Sequence, residues 1–138
     1  MRFDAVEENP LFPSEILIAE NSTVVILDDD PSVHESWKQR FKELSNDGIT
    51  YKYFESPELA KIEINSLKNN NSEFLFLGDY DLRNKSIDGI KFIRENDLNE
   101  YSILVTSSID SVLDDCRKLE IPVISKSIQS TIDIHTIR

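Results

Sequence analysis

The sequence predicts an α/β domain in which a doubly wound, five-stranded parallel sheet carries helices on both faces. Uninterrupted apolar runs, such as residues 24–27, 74–77 and 103–105, are typical of central strands covered on both faces, since a strand with one solvent-exposed face would alternate. These runs alternate along the chain with segments of helical periodicity. That arrangement indicates repeated strand–helix crossovers, and therefore a parallel sheet.

The first predicted strand covers Thr23–Leu27 and leads directly into a helix. Asp30 is a good N-cap for that helix, and Pro31 suits its first position because the missing amide hydrogen would be unpaired there. Apolar residues then recur at helical spacing on one face: Val33, Trp37, Phe41 and Leu44. Trp37 is therefore predicted to lie in the core, and His34 is predicted to be partly exposed.

The second strand and the second helix follow in residues 49–54 and from Ser56 onward. Residues 49–54 alternate, with Lys52 on the outward side, which is typical of an edge strand. The inward residues predicted for the helix are Leu59, Ile62 and Leu67.

The third, fourth and fifth strands are predicted at residues 74–77, 102–106 and 121–125. Helices are expected after the third strand and after the fourth. The first of these opens at Gly89, and the second carries Cys116 on its apolar face, where the thiol is expected to be a core group.

The two ends of the chain lack a clear periodic pattern. Residues 1–20 are interpreted as a linker or N-terminal extension, which leaves residues 21–138 as the domain. The dozen residues after Lys126 are rich in β-branched side chains, which are poor helix formers. The last helix of the fold is therefore predicted to be short, irregular or absent.

The composition argues against several classes of protein. A chain of 138 residues is long enough for one domain with a buried core. No apolar run reaches the roughly 20 residues of a membrane helix, so direct insertion into a membrane is not expected. A net charge of −11 disfavours nucleic acid as a partner. The single cysteine cannot form an internal disulfide, which suits a cytoplasmic protein.

Charged and hydroxyl side chains stand at the ends of four predicted strands. Asp28 and Asp29 follow the first strand, Asp79 the third, Thr106 ends the fourth and Lys126 follows the fifth. We expect these side chains to converge, because the carboxyl ends of parallel strands lie at one edge of a sheet. Carboxylates that converge need a hard dication, for which Mg²⁺ (or Mn²⁺) is the natural choice. Lys126 and Thr106 suit the oxygens of a phosphoryl group carried by Asp79.

These residues and their spacing resemble the receiver domain of two-component response regulators, which has a flavodoxin-like, CheY-like fold with strand order 2-1-3-4-5. The resemblance covers about residues 22–127, and its pieces are residues 25–33, 77–82, 87–89, 104–107 and 124–126. The segments that carry the first aspartates and Asp79 are most similar to receiver domains at the C-terminus of hybrid sensor histidine kinases.

The resemblance implies a role for each carboxylate. Asp79 would accept a phosphoryl group from the phosphohistidine of a histidine kinase or of a histidine phosphotransfer domain. Asp28, Asp29 and Asp79 would hold Mg²⁺, and the backbone carbonyl of Asp81 would complete its coordination shell.

The resemblance also implies how a signal would leave the site. Thr106 and Lys126 would contact the phosphoryl group, and their shift would change the population of two conformations. The chain would be a phosphoacceptor module rather than an independent enzyme. It would work in the cytoplasm, or in the cytoplasmic part of a membrane-bound sensor kinase.

Three features depart from the family pattern. Ser127 stands where most receivers have proline, so the Lys126–Ser127 peptide is predicted to be trans, or cis under strain. Val123 occupies the place of an aromatic switch residue. The weak last helix makes dimerisation or output through that helix doubtful.

Two other hypotheses fit parts of the sequence. A phosphohydrolase of the haloacid dehalogenase type also has a motif of the form Asp79-Tyr80-Asp81, although that family carries it on the first strand. A receiver-like interaction module that does not cycle phosphate would accommodate the change at Ser127. Turnover of a small phosphoester distinguishes a phosphohydrolase from a receiver.

Overall fold

The computed structural model describes residues 11–44, 48–82 and 87–137. The strands in these ranges are β1 (Glu15–Ala19), β2 (Thr23–Leu27), β3 (Thr50–Phe54), β4 (Phe74–Asp79), β5 (Ser102–Thr106), β6 (Val123–Ser125) and β7 (Asp133–Ile137). The α-helices are α1 (Pro31–Lys42), α2 (Pro57–Asn69), α3 (Gly89–Glu95) and α4 (Ile109–Leu119), with short 3₁₀ helices at Asn99–Tyr101 and Lys126–Ile128. None of the helices in these ranges is long and apolar enough to cross a membrane.

Five strands form one parallel sheet in the order β3-β2-β4-β5-β6. Counted within this sheet alone, the order is 2-1-3-4-5, and the predicted flavodoxin-like, CheY-like fold class is confirmed. The edge position predicted for the strand that carries Lys52 is also confirmed, because β3 pairs only with β2 within the described chain. Lys52 Nζ lies 3.1 Å from a carboxylate oxygen of Glu63 in α2.

The helices α2, α3 and α4 cover one face of the five-stranded sheet. Their buried side chains and those of the sheet form one apolar cluster, which includes Cys116 with no exposed surface. The helix residues in this cluster are Ala60, Ile64, Leu67, Ile90, Phe92, Ile93, Val112 and Cys116. Burial of each large side chain contributes about 1.5–3 kcal/mol relative to exposure, so this layer fixes the helices on the sheet.

The opposite face of the sheet is covered by α1 together with β1 and β7. Trp37 and Phe41 of α1 are buried there, as the helical spacing predicts. Ile16 and Ile18 of β1 and Ile134 of β7 join the same apolar cluster. A strand pair therefore shares this face with α1. The last helix was predicted to be short, irregular or absent, and the described chain forms β7 after the 3₁₀ helix Lys126–Ile128.

The strands β1 and β7 form a separate two-stranded parallel sheet, which we call the terminal ribbon. The segment before residue 21 shows no strand pattern in the sequence, but in the structure Glu15–Ala19 forms β1. The buried side chains alternate along both strands, with Ile16 opposite Ile134. The strand was missed because its pairing partner lies at the other end of the chain, and an isolated pair of strands has little stability until one face is buried.

The segment before β1 crosses the edge of the main sheet. The amide of Val123 in β6 donates to the carbonyl of Leu11 at 2.9 Å, and Leu11 packs against the cluster beneath α2–α4. A few residues later, Ile16 and Ile18 lie in the cluster on the opposite face. This segment therefore passes the outer side of β6 from one face to the other.

The inward face of α2 differs from the prediction. Leu59 and Ile62 are 57% and 65% exposed, whereas the buried residues are Pro57, Ala60, Ile64 and Leu67. Only the assignment of Leu67 was correct. A helix with two apolar stripes gives no unique phase from its sequence, and here the stripe with the small Ala60 lies against the sheet.

Candidate functional site

The carboxyl ends of β2 and β4 bring three carboxylates together. Asp28 directly follows β2, and Asp79 ends β4; their exposed fractions are 3% and 4%. Asp29 is half-buried beside them. One carboxylate oxygen from each of these three residues lies within 4.8 Å of the others.

Lys126 reaches the same point from the end of β6. Its Nζ lies 3.1 Å from Asp28 Oδ2 and 3.2 Å from Asp79 Oδ1. The Lys126–Ser127 peptide was predicted to be trans, or cis under strain, and it is trans. The lysine therefore bridges two buried carboxylates without the cis peptide that the family pattern suggests.

Burial and mutual repulsion make the carboxylates costly to ionise. Burial, followed by the charge of Asp28, raises the pKa of Asp79 to about 6, although Lys126 opposes the shift. Burial also raises the pKa of Asp28, against hydrogen bonds from the Asp30 amide and Lys126. Burial lowers the pKa of Lys126, but the charges of Asp28 and Asp79 outweigh it and leave that pKa raised. One ammonium group does not balance three carboxylates, so the site carries excess negative charge when all are ionised.

Local backbone contacts hold the two buried carboxylates in place. The amide of Asp30 donates to Asp28 Oδ1 at 2.9 Å. Asp30 is the predicted N-cap of α1, and its side chain accepts from the Ser32 amide at 2.9 Å. The Asp81 amide donates to the Asp79 carboxylate and lowers its pKa. In the loops after β2 and β4, backbone amides two residues further along thus orient the carboxylates of Asp28 and Asp79.

Gly89 allows α3 to begin directly against the end of β4. A Cβ atom at this position would lie 2.2 Å from the backbone carbonyl oxygen of Asp79. The Gly89 amide donates to the Tyr80 carbonyl at 2.8 Å. Glycine is therefore needed here for close approach of two backbone segments beside Asp79.

The other predicted site residues lie at the same edge but make different contacts. Thr106 ends β5 one residue beyond Val105, the register partner of Asp79, and is 2% exposed. Its Oγ1 accepts a hydrogen bond from the Ser108 amide at 3.0 Å. The side chain of Asp81 is exposed, and among the described residues the carboxylate cluster contains Asp28, Asp29 and Asp79 without it.

His34 is buried rather than partly exposed, which corrects the prediction. It is 7% exposed, and Nε2 has no hydrogen-bond partner within the described residues. Its ring lies 5.6 Å from the ring of Tyr53, centroid to centroid. Its charge, when protonated, lowers the pKa of Asp28. The sequence signal that could have shown this is the position of His34 on the same helical face as Trp37 and Phe41.

The donor atoms of the cluster fit a hard divalent cation. All three side chains offer carboxylate oxygens, which Mg²⁺ and Mn²⁺ prefer, and no nitrogen or sulfur ligand belongs to the described cluster. Burial raises the pKa of Asp28 and of Asp79 more than Lys126 and the neighbouring backbone amides lower it. A bound dication would offset this rise in pKa.

No protein-family model and no curated protein matches this sequence. Solved structures do match its fold. The RcsB response regulator of Salmonella typhimurium superposes with a TM-score of 0.60 at 21% identity, covering 81% of this chain and 55% of that one. The non-phosphorylated receiver domain of the stress response regulator RcsB from Escherichia coli gives 0.58 at 18% identity, covering 86% of this chain and 100% of that one.

A receiver domain from a plant kinase also matches. The receiver domain of the histidine kinase CKI1 from Arabidopsis thaliana, complexed with Mg²⁺, gives a TM-score of 0.56 at 13% identity, covering 80% of this chain and 87% of that one. The chain spans about half the length of the longer RcsB structure, which has 55% of its residues covered. At these identities the likeness is one of fold. The chain has the fold of a response regulator receiver domain.

Proposed function

We propose that this chain is the phosphoacceptor receiver domain of a two-component phosphorelay, with Asp79 as the acceptor. The observation that carries the proposal is the buried Asp79 carboxylate, which lies beside the carboxylates of Asp28 and Asp29 and 3.2 Å from Lys126 Nζ. Anionic and cationic groups are thus arranged around one oxygen nucleophile. The receiver fold of the solved structures supports the same interpretation.

The proposed reaction moves one phosphoryl group between two side chains. An Asp79 carboxylate oxygen attacks phosphorus and forms an O–P bond, while the N–P bond of the donor phosphohistidine breaks. The imidazole leaves with the bonding electron pair and takes up a proton. No general base is needed, since the nucleophile is an anion, and positioning and electrostatics supply most of the catalysis.

The remaining site residues neutralise charge during this transfer. Asp28, Asp29, Asp79 and the backbone carbonyl of Asp81 would hold Mg²⁺ (or Mn²⁺), which supplies charge neutralisation at the phosphoryl oxygens when bound. Lys126 places its ammonium group beside Asp79 and Asp28 and would bind the equatorial oxygens. The Thr106 hydroxyl would donate a hydrogen bond to the same group.

The setting of the domain is also part of the proposal. The direct partner would be a histidine kinase or a histidine phosphotransfer domain, and the parent protein would be a hybrid sensor histidine kinase acting in the cytoplasm. The chain's net charge of −11 disfavours direct contact with nucleic acid. The receiver domain of the CKI1 histidine kinase has the same fold as this chain, and the likeness concerns the fold alone.

The alternative phosphohydrolase interpretation has less support. It needs both carboxylates of the Asp79-Tyr80-Asp81 motif at the reaction centre, whereas the Asp81 side chain is exposed and it is the Asp81 amide that donates to the Asp79 carboxylate. The alternative of a module that does not cycle phosphate has no observation in its favour beyond Ser127. The trans peptide at that residue leaves Lys126 paired with Asp79.

The test is to incubate the chain with Mg²⁺ and a small acyl phosphate donor, and to supply a small phosphoester in a parallel reaction. A receiver gains one phosphoryl group on the intact protein and does not turn over the phosphoester. Asp81→Asn is the discriminating variant, because it keeps the backbone amide and carbonyl that the receiver mechanism uses. Catalytic release of phosphate from the phosphoester, abolished by Asp81→Asn, would instead establish the phosphohydrolase.

A further inference from the structure

The turn that follows β6 connects the site to the terminal ribbon. Lys126 is the first residue of the 3₁₀ helix Lys126–Ile128, and the Gln129 amide donates to its carbonyl at 3.2 Å. Ser125 caps this turn, with its Oγ accepting from the Ser127 amide at 3.1 Å. The same turn leads through Ile132 into β7. Lys126 and the ribbon therefore share one short stretch of backbone.

Helix α1 holds this turn by side-chain contacts. Arg40 donates through Nη1 to the Gln129 carbonyl at 2.6 Å and through Nη2 to the Ile132 carbonyl. Gln129 is 5% exposed, and its Nε2 donates to the Val33 carbonyl at 3.4 Å. The planar guanidinium binds two carbonyls in a fixed relative position, which a lysine ammonium group does less well.

Helix α1 is also fixed to the carboxylate side of the site. Its N-cap, Asp30, donates its backbone amide to Asp28. One helix is thus connected to Asp28 at its start and to the turn that carries Lys126 further along. The distance between the Asp28 carboxylate and the Lys126 ammonium group therefore depends on contacts made by α1.

We propose that Arg40 and Gln129 are positioning residues for Lys126, holding the turn against α1 so that Nζ lies between Asp28 and Asp79. In receivers with proline after the lysine, the backbone itself is restrained there; here Ser127 leaves the turn dependent on these tertiary contacts. The expected effect on the rate of phosphoryl uptake rests on the proposed function. The expected effect on the position of Lys126 does not. The same contacts also link the position of Lys126 to the seating of the terminal ribbon.

The geometric consequence is tested without any phosphoryl donor. Lysine side chains are labelled with an amine-reactive reagent and quantified by peptide mass spectrometry in the native chain, Arg40→Met and Gln129→Leu. Labelling of Lys126 should rise several-fold in both variants, while the exposed Lys61 and the Glu63-paired Lys52 stay unchanged. Lys42→Met, an exposed substitution in the last turn of the same helix, is the matched control and should change nothing. Unchanged labelling of Lys126 in both variants would overturn the inference.

The kinetic consequence is tested by a double-mutant cycle on phosphoryl uptake from the small donor. Arg40→Met should slow phosphoryl uptake about tenfold in the native background, because a small displacement of the Lys126 ammonium group from its position beside Asp79 lowers the rate of transfer. In a Lys126→Met background the same substitution should have no further effect, because the group it positions is gone. A purely structural role of Arg40 would slow uptake equally in both backgrounds and would contradict the proposal.

The two readouts separate the two claims. Uptake that fails even in the native chain, with Lys126 labelling responding to Arg40→Met, would remove the proposed function and keep the positioning role. Phosphoryl uptake by the native chain, with uptake and Lys126 labelling both unaffected by Arg40→Met and Gln129→Leu, would keep the proposed function and remove the positioning role.

Discussion

At the residue scale, the central feature is a carboxylate that is costly to ionise where it stands. Asp79 is 4% exposed and its pKa rises from 3.8 to about 6, chiefly through burial and then through the charge of Asp28. The folded state thus favours the protonated form. The contribution of Asp79 to stability is fully present below pH 3.8 and is lost as the pH rises through about 6, so ionised Asp79 destabilises the metal-free protein at neutral pH.

Asp79→Asn should therefore stabilise the metal-free chain at pH 7. We expect a gain of about 1–3 kcal/mol in the free energy of unfolding at pH 7 and little gain near pH 4. Urea unfolding at the two pH values in the presence of a chelator measures both. Mg²⁺ should then stabilise the native chain more than the variant. A variant that is less stable than the native chain at pH 7 without metal would show that the cost of ionising Asp79 is absent.

The residues of the site differ in how far the sequence reveals them. Asp28, Asp29, Asp79 and Lys126 could be selected because each stands within two residues of the end of an apolar run, and parallel strands end at one edge. The contacts of Arg40 could not be predicted from the sequence, because its partners are backbone carbonyls near the other end of the chain. Every residue has a backbone carbonyl, so the sequence does not mark the ones that Arg40 binds.

At the scale of elements, the terminal ribbon takes a place on the face beside α1. Its alternating pattern of Ile16, Ile18 and Ile134 buries one side of a two-stranded sheet that would have little stability alone. The central strands were predictable because they are apolar throughout. The ribbon was not, since it depends on a pairing between two distant segments, neither of which identifies the other.

A matched pair of substitutions in β7 tests whether the ribbon is seated as described. Ile134 is 8% exposed and lies in the core, whereas Ile137 on the same strand is 43% exposed. Ile134→Ala should lower the free energy of unfolding by about 2–5 kcal/mol, and Ile137→Ala by less than about 0.5 kcal/mol. Chemical denaturation of the two variants measures the difference. Equal, small effects would mean that the ribbon does not contribute to the core.

At the scale of the whole molecule, the parallel sheet brings residues from distant parts of the chain together at one edge, where they form the candidate site. The ends of β2, β4, β5 and β6 bring carboxylate, hydroxyl and ammonium groups to the same edge. Helix α1 connects the loop that carries Asp28 to the turn after β6. The fold class follows from the order of apolar runs and helical segments. The phase of α2 did not follow, because Leu59 and Ile62 form a second apolar stripe that only the packed structure distinguishes from Ala60, Ile64 and Leu67.

The central claim is that Asp79 is the phosphoacceptor of this domain. The most direct measurement is the intact mass of the native chain, Asp79→Asn and Asp81→Asn after incubation with a small acyl phosphate donor, with Mg²⁺ or with a chelator. We predict the gain of one phosphoryl group by the native chain and by Asp81→Asn, only with Mg²⁺, and no gain by Asp79→Asn. A gain retained by Asp79→Asn, or no gain by the native chain with Mg²⁺ bound, would contradict the account.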